Sequence, residues 1–137
     1  MSEENKALMQ RFISEYQTNH DDAVLYELVA DDFVDHSASP GLPPGREGVK
    51  AAFDAFHAAF AGFRAQVHDQ VAENDRVVTR KSFHGRHIGE YLGVAPTDRE
   101  VRIDVIDIVR IADGRIVEHW NAVDQLGFLR QLGALPS

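Results

Sequence analysis

The sequence predicts one α+β domain. Helical periodicity fills the first sixty residues, and a change to two-residue alternation fills the rest. Between them lies a loop rich in proline and glycine. Over residues 3 to 18, Leu8, Met9, Phe12, Ile13 and Tyr16 recur at steps of three and four, with Glu3 and Glu4 in the first turn, where negative charge favours a helix. Asp21 or Asp22 can cap a second short helix through about Val29. Asp32-Phe33-Val34-Asp35-His36 alternates as a short strand. Ser37 to Gly45, with three Pro and two Gly, must be a loop. A third helix is expected from about Arg46 to Ala61, with Val49, Phe53, Phe56 and Phe60 along one side.

From Phe63 onward the pattern predicts strands at about 64 to 72, 76 to 88, 100 to 111 and 115 to 124, then a helical turn or two from Leu126 to Leu132. Helices followed by a meander imply helices covering one face of an antiparallel sheet. No repeat or linker interrupts the pattern, so residues 1 to 137 form one domain.

Apolar residues make up 44% and charged residues 26%, a balance that supports a packed core. The net charge of −8 argues against nucleic acid and anionic membranes as partners. The absence of cysteine removes disulfides and thiolate chemistry. The amino terminus is acidic and polar, and no apolar run approaches the ~20 residues of a membrane span, so a soluble cytoplasmic protein is expected.

The chemistry is expected on the last hairpin, around Ile111-Ala112-Asp113-Gly114-Arg115. If Asp113-Gly114 is a two-residue turn, Ala112 pairs with Arg115, Ile108 faces His119, and Asp107 points to the other side. If Ala112-Asp113-Gly114 is a three-residue loop, Ile111 pairs with Arg115. One face then holds Val101, Ile103, Val105, Asp107, Val109 and Ile111 opposite Val117, His119, Asn121 and Val123. The second register separates an apolar from a mixed face more cleanly and is preferred. It makes Asp107 and His119 direct neighbours able to exchange a proton, with Asn121 placed to polarise a carbonyl. A satisfied buried pair is the structural alternative.

Four stretches resemble the SnoaL-like polyketide cyclases of the nuclear transport factor 2-like superfamily. They are Asp32-Phe33-Val34-Asp35-His36-Ser37, Gly45-Arg46-Glu47-Gly48-Val49, Gly85-Arg86-His87-Ile88-Gly89, and Ile108-Val109-Arg110 through Gly114-Arg115-Ile116-Val117-Glu118-His119-Trp120. The resemblance covers nearly the whole chain and implies a cone-shaped α+β barrel, a curved sheet wrapped around the helices. It implies an apolar pocket for a polycyclic ester and an aspartate that starts an aldol ring closure, with no metal or organic cofactor. In the family that aspartate lies two residues after the histidine of the His-Trp segment; here the position is Asn121. The family often has a histidine where Asp107 stands, so the carboxylate is expected to have moved across the hairpin.

Catalytic roles are thus expected for Asp107, His119 and Asn121. Substrate contacts are expected from His36 at the pocket mouth, from Val105, and from the helical aromatic residues Phe12, Tyr16 and Phe56, which are also core. His84 and His87, three apart in a strand, fall on opposite faces, and no zinc motif is present. His57 is expected at a solvent edge. Arg102, Arg110, Glu118 and an exposed Trp120 on the outer face suggest a homodimer or higher homo-oligomer. The competing functions are a binding protein without turnover, for a small hydrophobic molecule, and a purely structural oligomerisation module.

Overall fold

The computed structural model describes residues 2–134. Its order is α1 (Ser2–Arg11), a π-helical segment (Phe12–Thr18), α2 (Asp22–Leu28), β1 (Val29–Asp35), α3 (Arg46–Ala59), β2 (Phe60–Glu73), β3 (Arg76–His87), β4 (Glu100–Ala112), β5 (Arg115–Val123) and α4 (Gln125–Gln131). The expected first helix is continuous, but its second half widens to π geometry and turns Phe12, Ile13, Tyr16 and Gln17 inward. Asp21 is the cap of α2, accepting from the Ala23 amide. The third helix stops at Ala59, and Phe60 opens β2.

The curved sheet has the order β1-β5-β4-β3-β2 and stays open, with β1 and β2 as its edges. It is mixed, not wholly antiparallel: β1 lies parallel to β5, while the other pairs form the expected meander. The helices lie on the inner face, where β4 alternates cleanly and buries Val101, Ile103, Val105, Asp107, Val109 and Ile111. Gln131 clamps α4 to the sheet, accepting from the Arg102 amide and donating to the Arg102 carbonyl.

The hairpin follows neither expected register in full. Its turn has two residues, Asp113 (φ 52°) and Gly114 (φ 71°), so Ala112 pairs with Arg115. A bulge then leaves Val117 unpaired, and beyond it Arg110 pairs with Glu118, Val109 with His119 and Asp107 with Asn121. The bulge turns the inward phase back, so Asp107, His119 and Asn121 do share the inner face. Their pairing differs from that expected: Asn121, not His119, is opposite Asp107, and His119 is its diagonal neighbour. Ile116, not Val117, enters the core.

Two clusters of buried side chains make up the core. Met9, Phe12, Val29, Phe33, Val109 and Ile116 belong to one. Phe60, Phe83, Ile103, Val105 and Phe128 belong to the other, and Phe53 packs against both. No described helix is long and apolar enough to cross a membrane.

Candidate active site

A cavity of about 750 Å³, a size that suits a drug-sized ligand, is lined by members of both clusters. Its walls are mostly apolar, including Phe33, Phe53, Phe56, Phe83 and Phe128. Pro40, Leu42, Pro43 and Pro44 of the loop after β1 contribute to one side. The polar groups gather where β1, β5, β4 and β3 lie side by side: Asp35, His119, Asp107 and Lys81.

These four side chains form a chain of alternating charge. His119 Nδ1 lies 2.9 Å from Asp35 Oδ1, and His119 Nε2 lies 3.8 Å from Asp107 Oδ2. The Lys81 ammonium is 2.5 Å from the same Asp107 oxygen and donates to Gln17 Oε1 at 3.0 Å. Asp35 is fixed by the Ser37 amide, and the Ser37 hydroxyl accepts from the Asn121 amide, which ties the end of β1 to β5. Side-chain exposure is 1% for Lys81 and 2% for Asp107, against 20% for His119. His119 is therefore the more reachable proton carrier.

Burial alone would push the Asp107 carboxyl up, but the Lys81 ammonium and His119 outweigh it and hold the group below the ordinary carboxylate value. Burial likewise opposes charge on His119, yet the carboxylates of Asp107 and Asp35 prevail and raise it. Asp35 is lowered: its own burial acts against the charge, and His119 more than compensates. One acceptor stays free, because Asp107 Oδ1 is buried without a hydrogen-bond partner among the described residues.

Of the sequence-derived candidates, Asp107, His119, Asn121, Phe12, Phe56 and Val105 line the cavity. Tyr16 does not; it is fully buried, stacked on Phe12 and edge-on to Phe53, with its hydroxyl unpartnered among the described residues. His36, expected at the pocket mouth, lies on the outer face. Asp35 points inward, so strand alternation turns His36 outward, where it stacks on Trp120 and meets Glu118 at 2.8 Å. Trp120 is half-buried rather than exposed, with the Arg76 guanidinium 5.2 Å from its ring.

His57 is also half-buried, donating to the Gln17 carbonyl and stacking on His20. His20, Asp22 and Asp54 converge as potential metal ligands, but the Lys50 ammonium already reaches both carboxylates, at 3.4 and 2.7 Å.

Sequence reasoning missed Lys81, Gln17 and the role of Asp35. Lys81 had a visible signal: it stands in inward phase with Val77, Thr79 and Phe83 along β3. Asp35 carried a weaker one, as the residue two after inward Phe33. Gln17 carried a weak one, as the residue four after Ile13 and eight after Met9.

The SnoaL-like polyketide cyclase family model matches residues 7–132. The chain is 31% identical over 129 residues to the aklanonic acid methyl ester cyclase DnrD of Streptomyces peucetius, covering 92% of this chain and 88% of that one. It is 44% identical over 50 residues, about a third of each chain, to the nogalonic acid methyl ester cyclase of Streptomyces nogalater. Among solved structures, TsrD from Streptomyces laurentii superposes with a TM-score of 0.87 at 32% identity, covering 96% of both chains. AclR from Streptomyces galilaeus gives 0.88 at 27% identity, over 100% of this chain and 89% of its own. On sequence and fold together, the chain belongs to the SnoaL-like polyketide cyclase family.

Proposed function

We propose that the protein is a cyclase-type enzyme that moves protons on a hydrophobic, polyketide-like carbonyl compound using only side chains. The observation that carries this reading is Asp107, a buried carboxylate on the cavity lining beside His119, whose Oδ1 has no hydrogen-bond partner among the described residues. In the proposed reaction, Asp107 Oδ1 takes a proton from a carbon between two carbonyl groups. The C–H electron pair becomes the enolate, whose oxygen accepts hydrogen bonds from His119 and from the Asn121 side-chain amide. The enolate carbon then attacks a second carbonyl, forming the ring C–C bond. The new alkoxide takes a proton from His119, and the proton on Asp107 restores the imidazolium. The names of the two cyclase relatives support an esterified polyketide as the substrate class.

A second reading, a carrier without turnover, is favoured by one observation: a carboxyl held below its ordinary range is a weak base. Proton exchange in heavy water separates the two. With a panel of apolar ketones and β-keto esters, the enzyme reading requires deuterium at the activated carbon and its loss in Asp107→Asn. Tight binding with no exchange by the unmutated protein would sink it.

The outer face supports self-association. Trp120, Ile108, Val78 and Val71 form one transverse row across four strands, each paired with the next. The charges around the row are matched within the chain, Arg110 with Glu118 and Arg80 with Asp69. Such a neutralised apolar face suits a second copy of the chain better than a charged partner. Sedimentation at micromolar concentration should give a dimer or larger, and a monomer there would remove this part of the reading.

A further inference from the structure

We propose that Lys81 is a positioning residue for Asp107: held from behind by Gln17, its ammonium occupies Oδ2 and leaves Oδ1 as the one carboxylate oxygen free to meet a substrate. The inference deepens the function proposed above and rests on Asp107 being the base.

The geometry allows little else for this lysine. Its ammonium has three protons to give. One goes to Asp107 Oδ2 at 2.5 Å, another to Gln17 Oε1 at 3.0 Å, and the nitrogen also lies 5.1 Å from the centre of the Phe83 ring. At 1% side-chain exposure it is shielded from bulk solvent. A lysine so committed is a poor nucleophile, because attack would require it to shed a proton and abandon a buried carboxylate.

Its position follows from two local features. Strand alternation in β3 turns Lys81 inward with Thr79, the cross-strand partner of Asp107. The π-helical widening after Arg11 brings Gln17 to the same place, and irregular turns of this kind are common at functional sites. The ionisable groups facing Asp107 are then Lys81 from β3 and His119 from β5, with Asp35 of β1 behind His119. Lys81 is the nearer cation by more than an ångström.

Carbon-13 labelling of the aspartate carboxyls lets the state of Asp107 be read by NMR without a substrate. In the unmutated protein Asp107 should be ionised at pH 7. In Lys81→Met its titration midpoint should rise by about 1–3 pH units, the effect of removing an adjacent opposite charge. Lys81→Arg, which keeps the charge, should restore a low midpoint, an outcome that a purely space-filling role would not produce.

An unchanged midpoint in folded Lys81→Met, or a protonated Asp107 at pH 7 in the unmutated protein, would overturn the assignment. The latter reading needs no variant, so it holds even if Lys81→Met fails to fold. Failure of the parent reading is distinguishable. A midpoint that follows Lys81, with deuterium exchange indifferent to Asp107→Asn, keeps the positioning role and removes the base.

Discussion

Asp107 faces Asn121 directly across the β4–β5 ladder, one residue buried at the inner end of the cavity and the other at its exposed side. Directly opposed residues hold their Cβ atoms ~4.5–5.5 Å apart. The pair therefore offers an acceptor and an amide to one substrate fragment, and the amide adds no charge of its own. Asn121→Asp would set a second carboxylate against the first. One of the two should then titrate higher by about one pH unit or more, since like charges at this range cannot both ionise freely. Carboxyl NMR across pH checks this; two unperturbed low midpoints would contradict the pairing as the source of control.

A different outcome is expected from Asp107→Asn. Among the described residues the carboxylate is the only anionic partner of a lysine with 1% side-chain exposure, so its removal leaves a buried, uncompensated ammonium. The cost should be about 3–5 kcal/mol. Replacing both, as in Lys81→Met with Asp107→Leu, should recover most of that loss, because an apolar pair of similar volume has no charge to desolvate. Urea denaturation of the single and double variants measures the difference. Near-equal midpoints for the two would mean that the ion pair is not buried as described.

The His119 triad makes stability depend on pH from both sides. His119 is raised in the fold, so its contribution is complete below the ordinary imidazole value of about 6.5 and disappears as pH rises through the folded value. Asp35 and Asp107 are lowered, so theirs is complete above the ordinary carboxylate value of about 3.9 and is lost as pH falls through the folded values. The full contribution spans the interval between those ordinary values. His119→Gln should narrow the stability gap to the unmutated protein as pH rises above neutrality. Urea midpoints measured from about pH 4 to 9 test the sign directly; a gap that widened with pH would contradict a raised His119.

The sequence made the inward phase of β4 legible, since Val101, Ile103, Val105, Val109 and Ile111 alternate with Arg102, Asp104 and Arg110 toward the two ends and carry Asp107 with them between Ile106 and Ile108. The bulge at Val117 was not legible. Ile116 and Val117 are both apolar, so hydrophobicity could not say which one enters the core. Helical spacing likewise fails to separate α from π geometry, because Phe12 and Tyr16 are four apart in either, and Gln17, a polar residue four after Ile13, does not stand out in an apolar stripe. The parallel pairing of β1 with β5 joins residues more than eighty positions apart. Without that pairing nothing placed Asp35 next to His119, or turned His36 away from the cavity.

Gly48 controls the proline-rich side of the cavity. A Cβ added there would stand 2.2 Å from the Pro43 carbonyl oxygen and 3.4 Å from its carbonyl carbon, which is backbone and cannot rotate away. Gly48 itself, Pro43 and Pro44 all line the cavity. Gly48→Ala must therefore push the loop off α3, at a cost of about 1–3 kcal/mol, typical of overpacking. Affinity for an apolar ligand should fall with it, because the displaced segment is part of the wall. Thermal denaturation together with titration of an apolar fluorescent dye checks both effects. A lower melting temperature with unchanged dye affinity would show that this loop closes the fold without shaping the cavity.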